Sequence, residues 1–211
     1  MAATIRSLCV FCGSAAGRRD DYADAARSFG RVLAERSICL VYGGGNIGLM
    51  GILADEVLSG GGHVIGVIPR HLVERELAHA GATEMRIVNS MHERKALMAE
   101  LADAFVALPG GIGTFEELLE IMTWAQLGLH NKPIGILDVC GYYRPLLTLL
   151  NNAAHEGFVL PENEGLLTVT TDPAEMLGRL AASMSVTAPP IRRLPPAKAD
   201  GVIGLDFQTG Q

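Results

Sequence analysis

The chain has 211 residues, 49% apolar, 19% charged and 5% aromatic, and its 17 basic and 23 acidic side chains leave a formal charge of −6. That composition excludes a disordered chain, and the length suits one domain with one substantial core. The acidic balance argues against duplex DNA or an anionic membrane as partner, and the scarcity of aromatics against a base-stacking single-strand binder.

In chain order, apolar and β-branched runs predict strands at Ile5–Cys12, Ile38–Tyr42, Val64–Ile68, Met85–Val88, Ala104–Leu108, Ile134–Leu137 and Leu167–Val169. Helical periodicity predicts helices over Asp21–Arg36, Gly48–Ser59, Met91–Ala102, Thr114–Leu127, Tyr142–Glu156 and Pro173–Ala182, with room for a short one inside Pro69–Ala80. Nearly all-apolar strands separated by helix-length segments indicate a mostly parallel sheet covered on both faces, a doubly wound, Rossmann-like α/β domain. One such domain is expected over residues 1–184. The proline-rich stretch 185–211, with Arg192 and Arg193 between its prolines, reads as an extended tail.

Met1–Ser7 lacks the basic-then-apolar run of a signal peptide, and no apolar run reaches the ~20 residues that span a bilayer. Four scattered cysteines make no disulfide framework, so a cytoplasmic setting is expected. Cys9 and Cys12 form a C-x-x-C, but inside a predicted strand. Two small strand residues are favoured there over redox or metal use.

Ligands of doubly wound sheets bind beyond the carboxyl ends of the strands, where two glycine-rich turns stand out. The first, Gly43-Gly44-Gly45-Asn46-Ile47-Gly48-Leu49-Met50-Gly51, matches G-x-G-x-x-G and opens a helix. The next predicted strand ends Val67-Ile68-Pro69-Arg70, without the ribose-binding carboxylate of a dinucleotide site. Arg70 would suit a 2′-phosphate, but a structural or mononucleotide role is favoured over NAD or NADP.

The second turn, Pro109-Gly110-Gly111-Ile112-Gly113-Thr114-Phe115-Glu116-Glu117, also leads from strand to helix. The free N–H groups of Gly111 to Thr114, together with the helix dipole, make an anion site. No lysine follows Gly113, so this is not a Walker loop. Thr114 reads as N-cap, with Glu117 completing a capping box. On the helical wheel, however, Glu117 leaves the polar stripe Glu116–Glu120–Thr123 and joins the apolar flank of Ile121 and Trp124. Capping and catalysis both remain open for it.

Ser90-Met91-His92-Glu93-Arg94-Lys95 opens with another capping box, Ser90 to Glu93. Arg94 projects into the apolar arc of Met91, Leu97, Met98 and Leu101, with Lys95 beside it. A guanidinium there needs an anionic partner, either an internal carboxylate or a ligand phosphate. Ala96 occupies the second histidine position of a zincin motif, the histidines have no metal-ligand spacing, and no metal is implied. Ser14 lacks a nucleophile elbow.

Met91-His92-Glu93-Arg94-Lys95 together with the Pro109–Glu117 turn resembles the Lonely Guy family. Its members are cytokinin riboside 5′-monophosphate phosphoribohydrolases, often mislabelled lysine decarboxylases. The likeness runs from about Ser7 to Leu180, with Gly43–Gly51 and Thr123–Gly128 included, and leaves out the tail. It implies a cofactor-free hydrolase acting on a purine nucleoside 5′-monophosphate, N6-prenylated or plain AMP, that releases free base and ribose 5-phosphate. The implied catalytic pair is Arg94 and Glu117. Implied nucleotide contacts are Glu76, Lys95, Gly111, Ile112, Gly113, Thr114, Phe115, Glu116 and Thr123, Glu76 lying in the least similar stretch. A homodimer with sites near its interface is also implied. A non-catalytic nucleotide-binding module is the alternative, but a binder of anions has no use for a carboxylate beside the phosphate. A pyridoxal-phosphate decarboxylase would need a lysine context that Lys95, Lys132 and Lys198 all lack.

Overall fold

A computed structural model of the chain describes residues 4–73, 77–159 and 165–184. Its elements are β1 (Ser7–Phe11), α1 (Asp20–Glu35), β2 (Cys39–Tyr42), α2 (Gly48–Ser59), β3 (Val64–Pro69), α3 (Arg70–Val73), β4 (Glu84–Val88), α4 (Met91–Leu101), β5 (Ala104–Ala107), α5 (Ile112–Gln126), β6 (Ile134–Leu137), α6 (Arg144–His155), β7 (Leu167–Thr170) and α7 (Pro173–Ser183). A 3-10 turn, Val139–Gly141, precedes α6, which begins two residues later than its periodicity predicts. The predicted tail lies outside the described residues.

Seven strands form one sheet in the order β4-β3-β2-β1-β5-β6-β7, every pair parallel. The chain winds outward from β1 in one direction, then returns to lay β5 on its other side. That reversal opens a crevice between the loops after β1 and β5, the site such sheets offer to ligands.

Alternation along β1 feeds two cores. Leu8 and Val10 meet Phe29 and Leu33 of α1, Leu53 of α2 and Leu177 of α7. Cys9 and Phe11 face the other way, toward Met98 of α4, Leu118 of α5 and Tyr143. Cys12 belongs to the first core and Cys9 to the second, so the C-x-x-C spans the sheet and its thiols cannot meet. Burial pushes both thiols above their ordinary range, which keeps them protonated and inert.

Helix α6 differs from the other long helices. It is amphipathic yet contributes no fully buried residue, and Leu149 is 63% exposed. No helix among the described residues is long and apolar enough to cross a membrane.

Phe29 is fully buried where α1 meets the sheet. Phe29→Ala is expected to lower unfolding free energy by about 3–5 kcal/mol, read from urea midpoints. A loss below ~1 kcal/mol would contradict this packing.

Candidate active site

Three loops meet at the crevice and are tied by their backbones. Gly13, after β1, donates its N–H to Pro109 of the β5 loop at 3.1 Å, and its carbonyl accepts from Leu49 at the start of α2 at 2.9 Å. Gly48 has φ +62, and a Cβ there would lie 2.3 Å from the Ser14 carbonyl carbon. Only glycine lets α2 begin this close to the first loop. Together the loops, α4 and α5 enclose a cavity of about 380 Å³, within the range of small-molecule sites.

Arg94 and Glu117 line this cavity although they are only 9% and 7% exposed. Arg94 Nη1 lies 3.3 Å from Glu117 Oε1, and its Nε–H donates to the Val67 carbonyl at 3.1 Å. The partner left open by the sequence is therefore an internal carboxylate. Gly43 makes the arrangement possible, because a Cβ there would fall 1.9 Å from Arg94 Nη2. The start of α4 is held as predicted: Ser90 Oγ accepts from the Glu93 N–H at 3.1 Å. The returning Glu93 carboxylate accepts from Asn89 at 2.8 Å instead of from Ser90.

The second predicted capping box is not formed. α5 begins at Ile112 with Gly111 as N-cap and no side-chain cap bond. Thr114 is already inside the helix and turns back on Gly110, where a Cβ would lie 2.1 Å from its Oγ1. Because extended Gly111 lets the helix start early, Glu117 sits too deep to cap. Instead it faces Arg94. Burial pushes the Glu117 carboxyl above its ordinary range, Arg94 pulls it back and Glu116 pushes it up again.

The first turn of α5 carries the N–H groups expected to cradle an anion, and Gly111, Ile112, Gly113 and Thr114 all line the cavity. A Cβ at Gly111 or Gly113 would meet nothing within 4 Å, so the chain's own packing does not demand glycine there. Open space over both leaves room for a ligand. Glu116 also lines the cavity, and apolar Ile47, Met91 and Ile112 are exposed along its edge at 48%, 39% and 83%.

Three other residues expected at the site, Lys95, Phe115 and Thr123, are not on the wall of this cavity. Lys95 is buried and absent from the cavity wall; its ammonium bonds to Glu116 and, at 3.0 Å, to Glu120. Phe115 stacks on Tyr142, ring centroids 6.2 Å apart. Thr123 is exposed, donates to the Leu119 carbonyl at 2.8 Å and lines a second cavity of about 750 Å³ between α5 and α6. Glu76 lies outside the described residues. Among those described, no group of three or more His, Cys, Asp or Glu is placed to hold a metal ion. Tyr142 and Tyr143, which brace the β5 loop, were missed from the sequence; the only signal was an aromatic pair at a predicted helix start.

A family profile described as "Possible lysine decarboxylase" matches residues 50–180. The cytokinin riboside 5′-monophosphate phosphoribohydrolase LOG of Oryza sativa subsp. japonica is 52% identical over 175 residues, 83% of this chain and 72% of that protein. Its Arabidopsis thaliana counterpart LOG3 is 51% identical over 83% of this chain and 81% of its own length. Among solved structures, the molybdenum cofactor carrier protein of Chlamydomonas reinhardtii superposes with a TM-score of 0.66 at 18% identity, over 85% of this chain and 98% of that one. At that identity the likeness concerns the fold.

Glu117 binds its proton more tightly in the folded chain than in the unfolded one, so its ionisation opposes folding. As pH rises from 4.5 through the raised folded value, wild-type stability should fall relative to Glu117→Gln. A difference in unfolding free energy that is flat with pH would contradict this environment.

Proposed function

The chain belongs to the Lonely Guy family, and we propose that it is a nucleoside 5′-monophosphate phosphoribohydrolase that takes N6-prenylated adenosine monophosphate and plain AMP. The observation that carries this reading is the buried Arg94–Glu117 pair on the cavity wall, one helical turn beyond the open cradle of Gly111 and Gly113. The 5′-phosphate sits on the first turn of α5, where N–H groups and dipole meet its charge. Its binding energy positions the ribose over Glu117.

Cleavage of the bond from the ribose anomeric carbon to the base nitrogen leaves positive charge on the sugar, and the bond electrons depart with the base. Water adds to the anomeric carbon and the base takes up a proton, which balances the products, free base and ribose 5-phosphate. Glu117 stabilises the cationic sugar and orients the water. Arg94 opposes the effect of burial on that carboxyl and favours its charged form. The base extends toward Ile47, Met50, Leu72 and Leu77, an apolar end that suits a prenyl group and discriminates only weakly against its absence.

A homodimer is part of the proposal. Thr123, a nucleotide contact in the family's pattern, lies about 16 Å along α5 from Ile112, at a rise of ~1.5 Å per residue. It faces the α5–α6 groove instead of its own cavity. A second copy seated in that groove would cover Leu119 and Leu150 and bring Thr123 toward the neighbouring site.

AMP and isopentenyladenosine monophosphate should both yield free base and ribose 5-phosphate when the products are resolved chromatographically. Binding without turnover, or dephosphorylated nucleoside as product, would overturn the assignment. Glu117→Ala and Arg94→Ala should each lower kcat/KM by at least ~100-fold with the fold retained, and Gly43→Ala should do the same by displacing Arg94. Near-normal rates in any of them would return that residue to a structural role.

Light scattering on the eluting protein should give twice the chain mass, and Leu150→Glu should give a monomer. A wild-type monomer would exclude the dimer.

A further inference from the structure

We propose that Tyr142 is a positioning residue that aims the Gly111 N–H at the substrate phosphate, an inference that rests on reading the first turn of α5 as the phosphate site. The Tyr142 hydroxyl donates to the carbonyl of Gly110. In a planar trans peptide, that carbonyl and the N–H of Gly111 point in opposite directions. Holding the oxygen on the Tyr142 side therefore turns the N–H the other way, and Gly111 borders the cavity.

The unit needs holding, because it joins two glycines. Gly110 is packed: a Cβ on it would lie 2.1 Å from Thr114 Oγ1 and 2.9 Å from the Gly13 nitrogen. Gly111 has nothing within 4 Å of the same construction, so sterics there leave the peptide free to turn. The Tyr142 ring is itself fixed, edge-on to Tyr22 at 5.7 Å and Tyr143 at 5.2 Å and stacked with Phe115. One hydroxyl on a clamped ring thus sets the direction of one donor.

Tyr143 supplies the internal comparison. Its hydroxyl donates to the Leu108 carbonyl at 2.7 Å. The next residue is Pro109, whose nitrogen carries no hydrogen. This second hydroxyl braces the same loop and aims no donor.

The test is calorimetric titration of the full chain with ribose 5-phosphate and, separately, adenosine. Tyr142→Phe keeps the ring and should weaken ribose 5-phosphate binding about tenfold, the scale of one hydrogen bond to a charged group, while adenosine binding holds. Tyr143→Phe should lower Tm and leave ribose 5-phosphate affinity unchanged. Equal ribose 5-phosphate affinity in Tyr142→Phe and wild type would overturn the positioning role alone. So would equal weakening in both tyrosine variants, or parallel loss of adenosine binding. If wild type binds no ribose 5-phosphate, the phosphate reading of α5 fails and the positioning role falls with it.

Discussion

A guanidinium and a carboxylate share a corner of this fold from which water is nearly shut out. Two charges withdrawn from solvent are stable only when each satisfies the other and the leftover donors find acceptors. Arg94 meets this requirement with Glu117 on one side and the Val67 carbonyl on the other. The space for it exists because Gly43 has no side chain. Strand β3, the turn after β2 and helices α4 and α5 are thus all fitted around one ion pair. Removing either partner alone would strand the other, typically at a cost of about 3–5 kcal/mol, so the pair is a poor choice for stability alone. Its place on the cavity wall fits the proposed hydrolysis.

Charge balance around the pair bears on how an acidic protein would accommodate the proposed phosphate. Arg94 and Lys95 are adjacent on α4 and face three carboxylates of α5, Glu116, Glu117 and Glu120. Lys95 is committed to Glu116 and Glu120, so its charge serves the helix–helix contact. In the proposed site, the task of holding the anion falls to backbone N–H groups at the start of α5, which add no formal charge. A net charge of −6 is no obstacle to a ligand held in that way. The same surplus of carboxylates, added to burial, raises the Glu117 pKa while Arg94 opposes it.

The sheet was readable from sequence because parallel strands covered on both faces are almost uniformly apolar, and all seven predicted strands are present. Arg94 was readable because it breaks an apolar arc, a local anomaly that needs no tertiary knowledge. Its partner was not, since choosing between ligand and carboxylate requires knowing how α4 meets α5. Thr114 and Glu117 show a different limit. Their spacing fits a capping box, but the extended backbone of Gly111 starts the helix early and places them inside it. Lys95 is a nucleotide contact only by the family resemblance, and only packing shows that its ammonium meets Glu116 and Glu120. The hydroxyls of Tyr142 and Tyr143 left no trace, because an aromatic pair at a helix start reads as core.

In the proposed hydrolysis Arg94 and Glu117 work as one unit. A double-mutant cycle on kcat/KM tests it most directly, using Arg94→Ala, Glu117→Ala and the combined variant with AMP as substrate. If each residue serves the reaction through the other, the double variant should be no slower than the more damaged single variant. Losses that multiply would contradict the account, since the two side chains would then be acting independently.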